Sequence, residues 1–175
     1  MKRVAVFGNA GGGKSTLSRK LAEITGLPLH IIDYMQFREG GDPVPQEKFL
    51  AAHAKFINED KWIIDGYGST ALAWERFEKA DTLIHVDLPV ATHYWWVTKR
   101  FLKGLFRDPP GWPKGSPLWS STRQSYRVIR LCDKNLTPKY RQAVAGMASS
   151  KRVHSLRSAA EIAAFVDAVK SQHRK

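Results

Sequence analysis

With 175 residues, 43% of them apolar, the chain holds enough material to bury a core without staples. Its single cysteine, Cys132, excludes an internal disulfide and makes a reducing cytoplasm the default compartment. The formal net charge of +12 points to anionic partners such as nucleotides, nucleic acid or an acidic surface.

Lys2 and Arg3 mimic the start of a signal peptide, but the apolar run behind them ends at Phe7, short of the roughly 7 to 15 residues such a segment needs. No stretch approaches the roughly 18 apolar residues of a membrane span, so no membrane partner is expected. Val4 to Phe7, bounded by glycine, predicts a buried strand. From Lys14 the period changes: Leu17, Leu21 and Ile24 mark a helix that Gly26 and Pro28 stop. "LHIID" (29–33) and "KWIID" (61–65) predict two further strands, each ending on an aspartate, with a helix between them marked by Phe49, Ala52, His53 and Phe56. "DTLIHVD" (81–87) and "KRVHSL" (151–156) complete five strands, and helical patterns cover 90–107, roughly 120–147, and 158–171. Strands alternating with helices imply an α/β fold with a parallel sheet covered on both faces. The pattern breaks at "RDPPGWPKGSPLWSS" (107–121), which reads either as a surface loop or as a lid flanked by basic helices.

Chemistry concentrates first at Gly8 to Ser15, which fits G-x-x-x-x-G-K-[ST] between a predicted strand and a predicted helix. Bare glycine backbone lets consecutive N–H groups turn around a phosphate, and the helix behind adds its positive dipole end. The expected nucleotide-binding set is Gly8, Asn9, Ala10, Gly11, Gly12, Gly13, Lys14, Ser15 and Thr16. Lys14 reaches the β- and γ-phosphates, Ser15 ligates Mg²⁺, and Thr16 adds an α-phosphate contact.

Ligands of open parallel sheets collect at the carboxyl ends of the strands, which is where Asp33, Asp65 and Asp87 fall. Asp65 suits a carboxylate holding Mg²⁺ directly or through water, with a turn or cap role as the competing reading. Asp33 suits an acceptor hydroxyl, again against a capping role. Asp87, ahead of Pro89 and a helix start, reads as an N-cap.

Residues 94–152 hold thirteen Lys and Arg against two acids, and four of the six tryptophans. Trp96, Lys99, Arg100, Lys103 and Arg107 share one helical face, while Tyr94, Val97, Phe101 and Leu105 form an apolar one. Arg123, Arg127, Arg130 and Lys134 form a second basic stripe. The stripes read as a clamp on a migrating phosphoryl group, as a surface for nucleic acid with tryptophans for stacking, or as solvated faces.

The stretches "MKRVAVFGNAGGGKSTLSRKLAEITGLPLHIID", "WIIDGYGS", "DTLIHVDLP" followed by "KR", and "VHSLRSAAEIAAFV" together resemble the adenylate-kinase-like P-loop kinases, and within them the small bacterial DNA topology modulation (FlaR-like) proteins. The resemblance implies a P-loop NTPase of nucleoside-monophosphate-kinase type: a five-stranded parallel sheet with helices on both faces, a helical lid, and ATP with Mg²⁺. The "DGY" at Asp65 is similar to the "DGFPR" of adenylate kinases, without its Pro-Arg. Arg100 matches the second arginine of the helix that bears on the phosphates, and the first falls at Trp96. Asp33 matches the acid after the second strand, and Ser155 to Arg157 the loop bordering adenine. The topology-modulation label implies a DNA role.

The expectation is therefore one P-loop kinase-like domain over 1–175, with a lid-like insertion at roughly 100–130. Lys14, Asp33, Asp65 and Arg100 carry catalysis, and Ser15 and Asp65 the metal. The γ-phosphoryl of ATP goes to a small-molecule or nucleotide acceptor, lodged in the segment 34–60 with Tyr34, Phe37, Arg38 and Glu39. The rival expectation is a nucleic-acid-associated ATP-binding regulator working through 94–152.

Overall fold

The strand β1 (Arg3–Gly8) turns Val4 and Val6 toward one side and Ala5 and Phe7 toward the other, and all four are buried. Burial on both sides requires a helical layer on each, which is the arrangement of a parallel sheet. The computed structural model describes residues 1–36, 44–104 and 118–173, with only the backbone at 118, 120 and 121.

β2 (Leu29–Ile31), β3 (Trp62–Asp65), β4 (Thr82–Val86) and β5 (Arg152–Leu156) join β1 in the order β2-β3-β1-β4-β5, every pair parallel. The chain builds one side of β1 and then the other, so a crevice opens at the carboxyl end of β1. Register sets Val6 beside Asp65 and Gly8 beside Val86.

On one face, α1 (Lys14–Thr25) and α8 (Ala159–His173) bury Leu17, Leu21, Val166 and Val169 against Val4, Val6, Ile63 and Ile84. On the other, α3 (Gln46–Ile57), α4 (Thr70–Lys79) and α7 (Thr137–Met147) pack Phe49, Phe56, Phe77 and Tyr140 over Ala5, Phe7, Ile64 and Leu83. The sequence spacing anticipates both the α3 face, where Phe49, His53 and Phe56 are buried, and the stop of α1, where Gly26 is left-handed and donates to Ala22 O.

Several boundaries differ from expectation. β2 ends at Ile31, and α2 (Ile32–Gln36) follows at once, so Asp33 sits in a first helical turn instead of on a strand end. An acid there meets the positive end of the helix, while the fully buried Ile32 anchors the turn in the core. α4 is a helix the periodicity does not assign. It starts at Ser69, whose Oγ accepts the Leu72 N–H at 3.3 Å. The single helix expected over 120–147 is two, α6 (Leu118–Asn135) and α7, because Pro138 fits a first turn but not a helix interior. α5 (Val90–Gly104) begins directly after Pro89, so Asp87 lies too early to cap it. Its carboxylate instead receives Arg141, with Nε at 2.9 Å and Nη2 at 2.9 Å. Most of the loop expected at 107–121, with Leu105, Arg107 and residues Phe37 to Glu39, lies outside the described residues.

Gly8 leaves β1 at φ +139°, and a Cβ there would lie 2.3 Å from Val86 O. Gly8→Ala is expected to destabilise by about 3 kcal/mol, combining backbone strain of about 1–3 kcal/mol with overpacking of similar size. A fall in the urea midpoint with unchanged slope checks this.

Candidate functional site

β1 delivers the glycine-rich loop to the crevice, and α1 carries the chain away from it. Gly13 caps α1 in a left-handed conformation without any side-chain acceptor, so the first-turn N–H groups keep their capacity for an anion. Lys14 Nζ donates to Asn9 O at 2.9 Å, which folds the lysine back across the loop. Ala10 to Thr16 line a cleft of about 470 Å³, together with Arg19, Ile31, Asp33, Tyr34, Trp96, Val97, Arg100 and Ser125.

Several expected site residues thus meet on one cleft: Lys14, Ser15 and Thr16 from α1, Asp33 from α2, and Arg100 from α5. Arg100 is half-buried, and burial pulls its pKa down from the ordinary guanidinium value. Gly8 lies beneath the cleft against Val86. Asn9 contributes backbone only, for its side chain is buried, with Nδ2 donating to Ile129 O at 3.0 Å and Oδ1 accepting the Ala10 N–H at 2.7 Å.

Asp65 ends β3 behind Ser15, whose hydroxyl is near enough to act on its carboxylate. It is 1% exposed, and its Oδ1 has no hydrogen-bond partner among the described residues. Burial raises its pKa, opposed by the Lys14 charge and the nearby Ser15 hydroxyl. An orphaned carboxylate oxygen beside a hydroxyl at a phosphate loop fits Mg²⁺, which takes one or two protein oxygens and completes its shell with water and phosphate. Gly66 brings the two acids close, since a Cβ there would lie 3.2 Å from Asp33 Oδ1.

Sequence reasoning passed over Arg76, which α4 buries beneath this turn. Its Nη2 donates to Gly66 O at 2.9 Å and Tyr67 O at 2.7 Å. Burial lowers its pKa to about 10, so it stays charged at neutral pH. Arg19 and Ser125 were also missed, and Arg19 Nη2 donates to the Tyr34 hydroxyl at 2.7 Å. The expected basic face of α5 is divided: Trp96 and Arg100 turn inward, while Lys99 and Lys103 are exposed. Arg123, Arg127, Arg130 and Lys134 are exposed and do not line the cleft.

A second cavity, about 370 Å³, continues from Gly13, Thr16 and Trp96 between α1 and α8, against Leu17, Ile162 and Val166. Among the described residues, no helix is long and apolar enough to cross a membrane.

No family model matches the chain, and no curated protein matches it in sequence. Among solved structures, it is similar to shikimate kinase from Acinetobacter baumannii in complex with shikimate, at TM-score 0.52 and 17% identity over 100% of this chain and 96% of that one. It is also similar to a sugar kinase from Janibacter sp. HTCC2649, at TM-score 0.48 and 16% identity over 98% of this chain and 91% of that one. The fold is therefore the five-stranded α/β fold of P-loop kinases. Neither structure bears on the topology-modulation likeness.

An acid whose folded pKa is raised loses stability as pH climbs above its unfolded value. Asp65→Asn is therefore expected to melt higher than wild type at pH 7 without nucleotide or metal. A gain of about 2–4 °C corresponds to about 1 kcal/mol at this size. The gain should shrink toward pH 4, as thermal scans across pH will show.

Proposed function

We propose that the chain is an ATP-dependent phosphotransferase acting on a small-molecule or nucleotide acceptor. One observation carries the reading: the phosphate loop with Lys14, the acid Asp33 and the guanidinium of Arg100 all face a single cleft. Phosphoryl transfer needs little covalent chemistry from the protein and much positioning and charge. The loop N–H groups and Lys14 hold the β- and γ-phosphates. Arg100 neutralises charge on the migrating group, and Asp33 orients the acceptor hydroxyl and takes its proton. Ser15 holds Mg²⁺, with Asp65 directly or through a water. Held by these two residues, Mg²⁺ would supply positive charge to offset that of the phosphates. The base lies in the cavity beyond Thr16, against the Trp96 indole, and not beside Ser155 and Arg157, which line a separate cavity with His85 and Asp87, while the acceptor enters past Tyr34 and Arg19.

A second reading, a nucleic-acid-associated ATP-binding regulator, is favoured by the outer faces of α5 and α6. Trp95 and Trp119 are 58% and 71% exposed, the Lys99 ammonium lies 5.9 Å from the Trp95 ring, and the arginine stripe of α6 faces solvent. That reading expects oligonucleotide binding that falls steeply with salt, with a shallower slope in Arg123→Ala/Arg127→Ala. Negligible binding at physiological salt removes it.

ADP release measured against a panel of nucleosides, nucleotides, sugars and amino-alcohols identifies the acceptor. Lys14→Ala is expected to lower ATP turnover at least about 100-fold, the scale for losing one phosphate-stabilising donor. Wild-type ATP binding and turnover in that variant would sink the kinase reading. ATP binding should also quench tryptophan fluorescence in wild type, and much less in Trp96→Leu.

A further inference from the structure

The phosphate loop is not held by α1 and β1 alone. One face of α5 lies along it, and each side chain of that face meets a different loop residue. His93, 1% exposed, sets Nδ1 2.8 Å from Ala10 O. Its ring also lies under Gly12, where a Cβ would come within 2.8 Å of Cε1. Trp96 covers Gly13, where a Cβ would lie 2.9 Å from its ring, and Val97 Cγ2 covers Gly11 at 2.6 Å from such a Cβ. One turn further along the same face stands Arg100, in the cleft. The spacing 93, 96, 97, 100 is that of one helical stripe.

Two physical consequences follow. The Ala10 carbonyl turns toward α5, and the His93 Nδ1–H satisfies it. In a trans peptide the Gly11 N–H, a loop donor, points the opposite way, so His93 fixes that plane. A helix is also stiff over two turns, roughly 10 Å from residue 93 to 100 at 1.5 Å per residue. The contact that shapes the loop therefore also sets the height of Arg100 above it.

We propose that His93 is a positioning residue that couples the shape of the phosphate loop to the placement of Arg100, and so acts on the rate of phosphoryl transfer more than on ATP binding. The proposal rests on the kinase reading above.

The test uses ATP with Mg²⁺, reading ADP release at saturation, Kd for MgATP and the urea midpoint. Asn carries an amide nitrogen as many bonds from the backbone as Nδ1, whereas the Gln amide overlaps Nε2. His93→Gln is expected to lower turnover about 10- to 100-fold, the scale of a misplacement near 1 Å, with Kd changed less than about 3-fold. His93→Asn should recover to within about 5-fold of wild type, since the donor returns to its place. Added to Arg100→Ala, His93→Gln should cost no more than about 2-fold further, because two residues acting as one unit are not additive. Independent multiplication of the two effects, equal behaviour of Asn and Gln, or unchanged turnover in folded His93→Gln overturns the proposal. If His93→Gln does not fold, His93→Asn decides alone: turnover within about 5-fold supports it, and a loss beyond about 10-fold overturns it. Wild-type protein that binds and turns over no ATP removes the kinase reading and this proposal together. Normal wild-type turnover with any of the contrary variant results removes this proposal only.

Discussion

An anion site made of bare backbone cannot keep its own shape, because the glycines that let its N–H groups converge also give the chain the most freedom to lose that convergence. In this protein the surrounding elements hold the residues between β1 and α1. Val86 O abuts Gly8, the Asn9 amide reaches Ile129 O on α6, and His93, Trp96 and Val97 of α5 lie against Ala10 to Gly13. Preorganised donors are worth most when they need not reorganise as charge develops. The α5 and α6 helices thus belong to the site as much as the loop does.

Beneath the loop a second constraint operates, since a buried carboxylate and a buried guanidinium are expensive to desolvate. Asp65 stays at the end of β3 with one oxygen unsatisfied, and Arg76 spends its donors on the Gly66 and Tyr67 carbonyls. The two Gly turns after Asp65 let α2 approach, bringing Asp33 beside Gly66. An acid left partly unsatisfied inside a protein is a cost to stability that a bound cation would offset, so the proposed Mg²⁺ site would couple metal binding to stability.

The glycine-rich loop, its strand and its helix were legible because their signals are local: a short apolar run, then glycines, then a 3.6-residue period. The three acids expected at strand ends stand out in the sequence too, but only Asp65 ends a strand, and their fates were not legible. Asp65 is buried behind Ser15, Asp33 opens a helix, and Asp87 is taken by Arg141 from 54 residues away. Arg76 escaped notice because the helix carrying it was not assigned, and a charged residue on an apolar face reads as solvated until its carbonyl partners are known. Lys99 and Arg100 are neighbours in sequence, and the 100° turn between them sends one to solvent and the other to the cleft.

By itself the sequence determined the alternation of strands and helices, the parallel sheet and the position of the glycine-rich loop between β1 and α1, all of which depend on contiguous residues and their period. Only the tertiary structure decided which basic residues face the phosphate loop, which aspartate is left with an open oxygen, and that His93 supports the loop from 83 residues away. Those outcomes depend on the packing of α4, α5 and α6 against distant strands and loops, and no local pattern encodes the partner a side chain meets across the fold.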